Sequence, residues 1–340
     1  MATTTRDAPL RGVLVALHFP RGHAASLAVF VGRRLLWMVP VLFFVLLVTF
    51  TLMHLAPGSP WDPDSGRPLS PAVVRNLNVK FGLDRPVWQQ FVLYVWNVIH
   101  LDFGLSYQYQ DQSVARLLLR SWPYTAWLGV LAFAVIVPCG IGLGVIAALR
   151  QHTWVDRAVL GFSTVFASVP SFVVGIVLII LLAVGMNNVT DGSYFLPAGG
   201  FGLDQHLLMP VLTLSVLPVA FITRLTRAST LDVLRQDYVR TAWAKGLVER
   251  RVVLKHVLKN SLIPVVTALG PTFAFLVTGS VIVETVFAIP GIGRSFVVAV
   301  SARDYPMILA TTVLFAVVIA VANLVVDILY VFIDPRVRLS

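Results

Sequence analysis

The chain of 340 residues is poor in charge, in cysteine and in the short motifs of bond-making chemistry. Only 12% of it is Asp, Glu, Lys or Arg, where a soluble domain carries about a quarter. Hydrophobic residues make up 57%, and the mean hydropathy is +0.84. Together these values exclude an ordinary soluble domain and predict a membrane-embedded chain. The one cysteine, Cys139, rules out an intrachain disulfide and any CxxC-type metal site. Its apolar neighbours predict a small packed side chain. No GxxxxGK[ST] phosphate loop is present, so the chain should not hydrolyse ATP by itself. HExxH and GxSxG are also missing, and the seven histidines are scattered without ligand spacing. No catalytic, metal or cofactor site is expected in this chain.

What is abundant is apolar length. A helix needs about 20 mostly apolar residues to cross a bilayer, and six segments qualify: 34–55, 123–149, 158–185, 207–225, 262–287 and 307–332. The first is long, follows Arg33 and Arg34, and ends in LAPGSP, a turn with no convincing cleavage site, so it reads as an uncleaved span. Prolines 40, 138, 170, 210, 218 and 264 fall in or near spans, where neighbouring helices can satisfy the freed carbonyls. GIGLG at 140–144 holds a GxxxG pattern, which predicts close helix packing.

The net charge of +10 invites nucleic acid or an anionic surface. Position decides between them. Arg150 and Arg157 lie between spans two and three, whereas 186–206 has no Lys or Arg. Arg227, Arg235, Arg240, Lys245, Arg250, Arg251, Lys255 and Lys259 follow span four; Arg11, Arg21, Arg33 and Arg34 precede span one; Arg336 and Arg338 end the chain. All these basic stretches fall on one side, so both termini and the loop 227–261 are expected in the cytoplasm. The charge therefore tracks topology and does not mark a nucleic-acid site.

Residues 58–122 form a long external segment. Ser70-Pro71 predicts an N-cap and first helical residue. PVWQQFVLYVWNVIH then sets Val87, Phe91, Val95 and Ile99 on one helical face, either at the membrane surface or packed on the bundle's outer end. Residues 1–32 read as a cytoplasmic extension whose apolar run 13–19 is too short to span.

Three polar residues inside spans are candidates for the pathway or a gate: Glu284, Asn323 and Asp327. An acid at a helix centre costs about 2.5–3.5 kcal/mol on insertion scales, and less near the interface. Because Glu284 and Asp327 lie near span ends, a structural pair or cap is the competing reading, for example Asp327 with Arg336. An intramembrane enzyme would need paired groups at one depth, and these two stand near opposite ends.

The loop after span four holds the most distinctive local pattern. Residues 237–245 lack Pro and Gly, and Gly246 is placed to end a short helix in a left-handed cap. Ala242 and Gly246 are small and four apart, which predicts a bare face open to another protein. Val253, Leu254, Val257, Leu258 and Leu262 then predict an amphipathic helix running into span five. Its basic face suits anionic lipid headgroups, at about 1 kcal/mol per charge.

YVRTAWAKGLVERRVVLKHVLKNSLIPVV resembles the cytoplasmic EAA-type loop of binding-protein-dependent ABC importer permeases, in particular the first-permease (B-type) branch of the oligopeptide/dipeptide/nickel subfamily. RRLLWMVPVLFFVLLVTFTLMHLAPGSP, FGLDRPVWQQFVLYVWNVIHLDFGLSY, VIVETVFAIPGIGRSFVVAVSARDYPMI and NLVVDILYVFIDPRVR resemble other parts of the same family in the same order, so the likeness runs over about 33–338. It implies an all-α membrane protein with six transmembrane helices of the type I ABC importer permease fold, in a bacterial plasma membrane. It also implies that 237–246 is a coupling helix seated in a groove of a cytoplasmic ATPase. Asp237 opens that helix, and Arg240, Thr241, Ala242, Lys245 and Gly246 match the motif, with His256 and Pro264 in its downstream part. Thr-Ala-Trp stands where Glu-Ala-Ala is often found. The implied partners are a homologous second permease chain, two ATPase domains carrying ATP and Mg, and an extracytoplasmic substrate-binding protein. Di- or oligopeptides are the leading cargo, with nickel complexes and glutathione-like or haem-like ligands also compatible.

Overall fold

The computed structural model describes residues 21–61, 69–109, 111–189 and 196–333, with side chains from 29 to 328. The run 13–19, Arg11 and the tail arginines Arg336 and Arg338 lie outside the described residues. Every regular element among the described residues is helical, and six helical stretches are long and apolar enough to cross a membrane.

Helix α1 (Arg21–Leu55) begins well before the expected start of span one. In the segment between spans one and two, α2 (Pro71–Phe81) starts as the sequence predicts. Ser70 is extended and its hydroxyl accepts from the Val73 N–H, Pro71 takes the first turn, and Gly82 closes the helix at φ +70°. In α3 (Val87–Ile99) the packed stripe differs from the expected one. Phe91, Tyr94, Val95 and Val98 face the bundle, while Val87 and Ile99 are exposed. Phe43 and Phe50 of α1 hold Phe91 at ring separations of 5.7 and 5.2 Å, and this sets the rotation of α3. Its other face leaves Trp88, Val92 and Trp96 uncovered.

Helix α4 (Val114–Leu149) forms span two. The expected third span of 158–185 is two elements. Helix α5 (Trp154–Ser168) stops at extended Val169 because Pro170 disfavours helix in the residue before it. A second start gives α6 (Ser171–Leu178), a π-helical turn (Ile179–Val184) and α7 (Gly185–Val189), and the membrane-length stretch is Ser171–Val189. Helix α8 (Leu208–Leu234) is the axis of the bundle. Of its most apolar stretch 61% is buried, against 11% for α1. The GxxxG prediction is met here: Gly140 and Gly144 of α4 are buried against Ile222, Thr223 and Thr226 of α8. Cys139 beside them is exposed, contrary to expectation, because the close-packed face of α4 is the glycine face and Cys139 points away from it.

Beyond α8 come α9 (Asp237–Ala244), α10 (Glu249–Val252), a π turn (Val253–Val257), α11 (Leu258–Thr278), α12 (Val281–Val286), α13 (Ile292–Ser301) and α14 (Tyr305–Ile333). The expected fifth span is broken at Gly279, where φ is +105°. The π turn adds a residue to the helical repeat, so Val252, Val253 and Val257 are buried while Leu254, expected on the same face, is exposed. One apolar cluster lies among α4, α8, α11 and α12, and includes Leu128, Ile136, Ile222, Leu276 and Phe287. A second joins α1, α3, α13 and α14.

Candidate functional site

The charged loop after α8 folds back on the bundle. Gln236 is extended (φ −73°, ψ 143°), and Asp237 opens α9, where a negative side chain suits the helix N-terminus. Eight residues give two turns, so only one stripe can be buried. That stripe is Val239 and Ala242, which pack with Val233, Leu234, Leu247, Val252 and Val257. Gly246 then takes φ +74°, and its N–H donates to the Trp243 carbonyl at 2.8 Å. A Cβ at Gly246 would meet nothing within 4 Å, so the backbone angle requires glycine here and space does not.

This geometry corrects the expected bare face. Ala242 is 5% exposed and is spent on the chain's own packing, because it follows Val239 by three residues on the same helical side. The outward surface of α9 is formed by Arg240, Thr241, Ala244 and Lys245, with Asp237 at its start; Trp243 is 40% exposed. Two hydrogen bonds tie the loop to its neighbours. Asn260 Nδ2 donates to Tyr238 Oη at 2.6 Å, joining α9 to α11. Ser229 Oγ donates to the Ser261 carbonyl at 2.7 Å, joining α8 to α11. His256 is half-buried in the π turn between them. The short helix is thus tied to both α8 and α11.

Glu284 lies at the other end of α11, about 31 Å away by helical rise over its 21 residues. It is fully buried. Thr125 Oγ1 donates to Glu284 Oε1 at 2.8 Å, the Arg294 N–H donates to Oε2 at 2.9 Å, and the Gly293 N–H donates as well. Thr125 Oγ1 in turn accepts from the Ile292 N–H at 2.9 Å. The carboxyl therefore caps the first turn of α13 and pins it to α4. A side chain at Gly291 would collide with Glu284, so the turn before α13 must stay bare.

Asp327 is not near Glu284. Arg34 Nε donates to Asp327 Oδ2 at 2.7 Å, tying α1 to α14. The pairing expected with Arg336 falls outside the described residues, and Arg34 is the partner seen. Asn323 sits one turn earlier on α14, half-buried. Residues 237–256 thus form one unit, whereas Glu284 and the Asn323–Asp327 stretch are separate from it and from each other.

Two polar anchors escaped the sequence reading. Asp156 on α5 is 3% exposed and takes a two-pronged bond from Arg227 of α8, Nε to Oδ1 at 2.6 Å and Nη2 to Oδ2 at 2.8 Å. The Arg227 hydrogen bonds hold the Asp156 carboxyl below the usual carboxylate range, against the effect of burial. Asp304, 1% exposed, accepts from Ser106 Oγ and from the Tyr107 N–H at 3.1 Å, joining the loop before α4 to the start of α14. An acid set next to a long apolar run was the available signal for each. Among the described residues no group of three or more His, Cys, Asp and Glu is placed to hold a metal ion.

The family model for the binding-protein-dependent transport system inner membrane component matches residues 140–339, and its N-terminal companion matches 27–129. The oligopeptide transport system permease protein OppB of Haemophilus influenzae is 40% identical over 311 residues, 91% of this chain and 99% of that protein. OppB of Escherichia coli K12 has the same identity and coverage. The dipeptide transport system permease protein DppB of Bacillus subtilis is 38% identical over 307 residues, 90% of this chain and 97% of that one. Among solved structures, the inward-facing MetNI methionine ABC transporter aligns with 64% of this chain and 96% of its own, at 19% identity and TM-score 0.50, a likeness of fold. With six membrane-length helices and a family match on both halves, the chain belongs to the binding-protein-dependent transport system inner membrane components and is a multi-pass permease subunit of that family.

Proposed function

We propose that this permease subunit serves an ATP-driven importer of di- or oligopeptides, and that α9 is the element through which ATPase motion enters it. The observation that carries this reading is the build of α9. Its inner stripe, Val239 and Ala242, is welded to α8 and the α10 region, and its outer surface offers Arg240, Thr241, Ala244 and Lys245 to a partner. Peptide cargo is supported by the relatives, which are named oligopeptide and dipeptide permeases.

In this account a cytoplasmic ATPase subunit, carrying ATP and Mg, receives the outer surface of α9 in a groove. A homologous second permease presents the same element to a second ATPase, and an extracytoplasmic binding protein delivers the solute. Closure of the ATPases shifts α9, and the Tyr238–Asn260 and Ser229–Ser261 bonds carry the shift to α8 and α11 as one body. Access then alternates between the two sides. The basic residues around α10 rest on anionic headgroups, and both termini lie in the cytoplasm.

The test is reconstitution with the partner ATPases and binding protein. Lys245→Glu reverses a charge on the exposed surface without touching the packed stripe. It is expected to lower ATP-driven peptide uptake at least about tenfold, the loss of one charge-assisted contact, while the permease still folds. Uptake at the wild-type rate in that variant would contradict the docking role of α9.

A further inference from the structure

We propose that a recess of about 330 Å³ beside α13 is a receiving seat for the carboxylate end of an incoming solute, with Arg120 and Arg294 as its donors. This rests on the peptide-importer reading above and adds to it a chemical requirement on the cargo: a free carboxyl terminus.

Arg120 comes from the outer part of α4 and Arg294 from the first turn of α13, and both line the same recess. Both residues are exposed, and among the described residues neither guanidinium has an ion-pair partner. Two acids of this region are held by other donors. Glu284 accepts from the Arg294 backbone and from Thr125 beneath the recess. Asp304 borders the recess, but Ser106 Oγ and the Tyr107 N–H occupy its oxygens. Two arginines without an ion-pair partner therefore line one cavity with a single buried carboxylate, Asp304, which leaves the recess net positive. Guanidinium donors match the paired oxygens of a carboxylate, and this match favours such a ligand over a neutral one. The side chains of Gln108 and Gln112, from the external loop, complete the wall and can meet the adjoining peptide group.

The depth is right for receiving a solute. By helical rise Arg120 stands about 43 Å from Leu149 along α4, farther than the ~30 Å hydrocarbon core. The recess is thus at the outer, wet end of the chain. A lipid phosphate presents similar paired oxygens; the external-loop wall and the amide groups favour the solute, and the experiment separates the two.

The experiment uses the purified complete transporter in detergent, with saturation-transfer NMR to detect weak binding without the binding protein. The probes are trialanine, trialaninamide and glycerol 1-phosphate. Trialanine should give a clear transfer signal, trialaninamide a signal weaker by about tenfold, as expected when a charge-assisted contact is lost. The Arg120→Gln/Arg294→Gln variant should lose the trialanine signal, and the Arg120→Lys/Arg294→Lys variant should keep part of it. Equal signals from the acid and the amide on the unmodified protein would overturn the seat without need of any variant. So would an arginine-dependent signal from glycerol 1-phosphate with none from trialanine, which would assign the arginines to lipid headgroups. ATP-driven uptake of trialanine by the unmodified system is measured alongside. Its absence would defeat the importer reading itself, whereas uptake with arginine-independent binding would defeat only the seat.

Discussion

Replacing Glu284 by alanine removes the acceptor for three donors at once: the Thr125 hydroxyl and the N–H groups of Gly293 and Arg294. The site is fully buried, so water cannot simply take the place of the carboxyl. A buried donor left without a partner costs about 1–3 kcal/mol. Three of them come to about 3–6 kcal/mol once some relaxation is allowed. That is a large share of the ~5–15 kcal/mol by which a folded protein is stable. Glu284→Gln keeps the shape and one carbonyl oxygen but turns a donor toward one of the three partners, so it should cost about 1–3 kcal/mol. The assay is thermal unfolding of the solubilised permease, with hydrogen exchange followed at the amides of Ile292, Gly293 and Arg294. Alanine should lower the midpoint far more than glutamine, and protection should be lost first at the start of α13. Equal midpoints for the alanine variant and the unmodified protein, with those amides still protected, would refute the capping account and reopen a role for Glu284 in the pathway.

Two further predictions follow from packing and charge. A side chain at Gly144 would put its Cβ 2.5 Å from Thr226 Cβ and 2.7 Å from the Thr223 carbonyl oxygen, so Gly144→Val should destabilise the α4–α8 pair by about 1–3 kcal/mol, whereas Gly142→Val, with nothing within 4 Å, should be neutral in the same melt. Asp156 has a folded-state pKa depressed by Arg227, so the stability it contributes is present above its unfolded pKa of about 3.9 and is lost as pH falls below that value. Unfolding midpoints measured from pH 6 down to 3 should fall more steeply for the unmodified chain than for Asp156→Asn, and parallel curves would rule out the linkage.

Composition made the bundle and its six membrane-length segments legible, because both rest on a summed property of many residues. The Ser70 cap, the Gly246 cap and the Gly140–Gly144 contact were also legible, since each depends on a residue whose shape leaves few alternatives. What failed depends on neighbours. The orientation of Ala242 was set by Val239 and by Val252 and Val257 beyond the loop, and the rotation of α3 by Phe43 and Phe50. Pro170 was visible, yet whether a proline kinks a span or divides it depends on what packs against the freed ends. The π turn before α11 leaves no mark in composition, and it moved Leu254 to the surface. The partners of Asp156, Asp304 and Asp327 are remote in sequence, 71 residues for Asp156 with Arg227 and 293 for Arg34 with Asp327, so periodicity could not pair them.

The central claim is that the outward surface of α9 meets the ATPase. It is tested most directly by a photo-crosslinker on a single cysteine at Ala244, in a background where exposed Cys139 is replaced by serine. Illumination of the assembled transporter should join the permease to the ATPase subunit from position 244 and leave the same probe at Trp127, exposed on α4 far along the chain from α9, without that adduct. An ATPase adduct no stronger at 244 than at 127, with both sites fully labelled, would contradict the account.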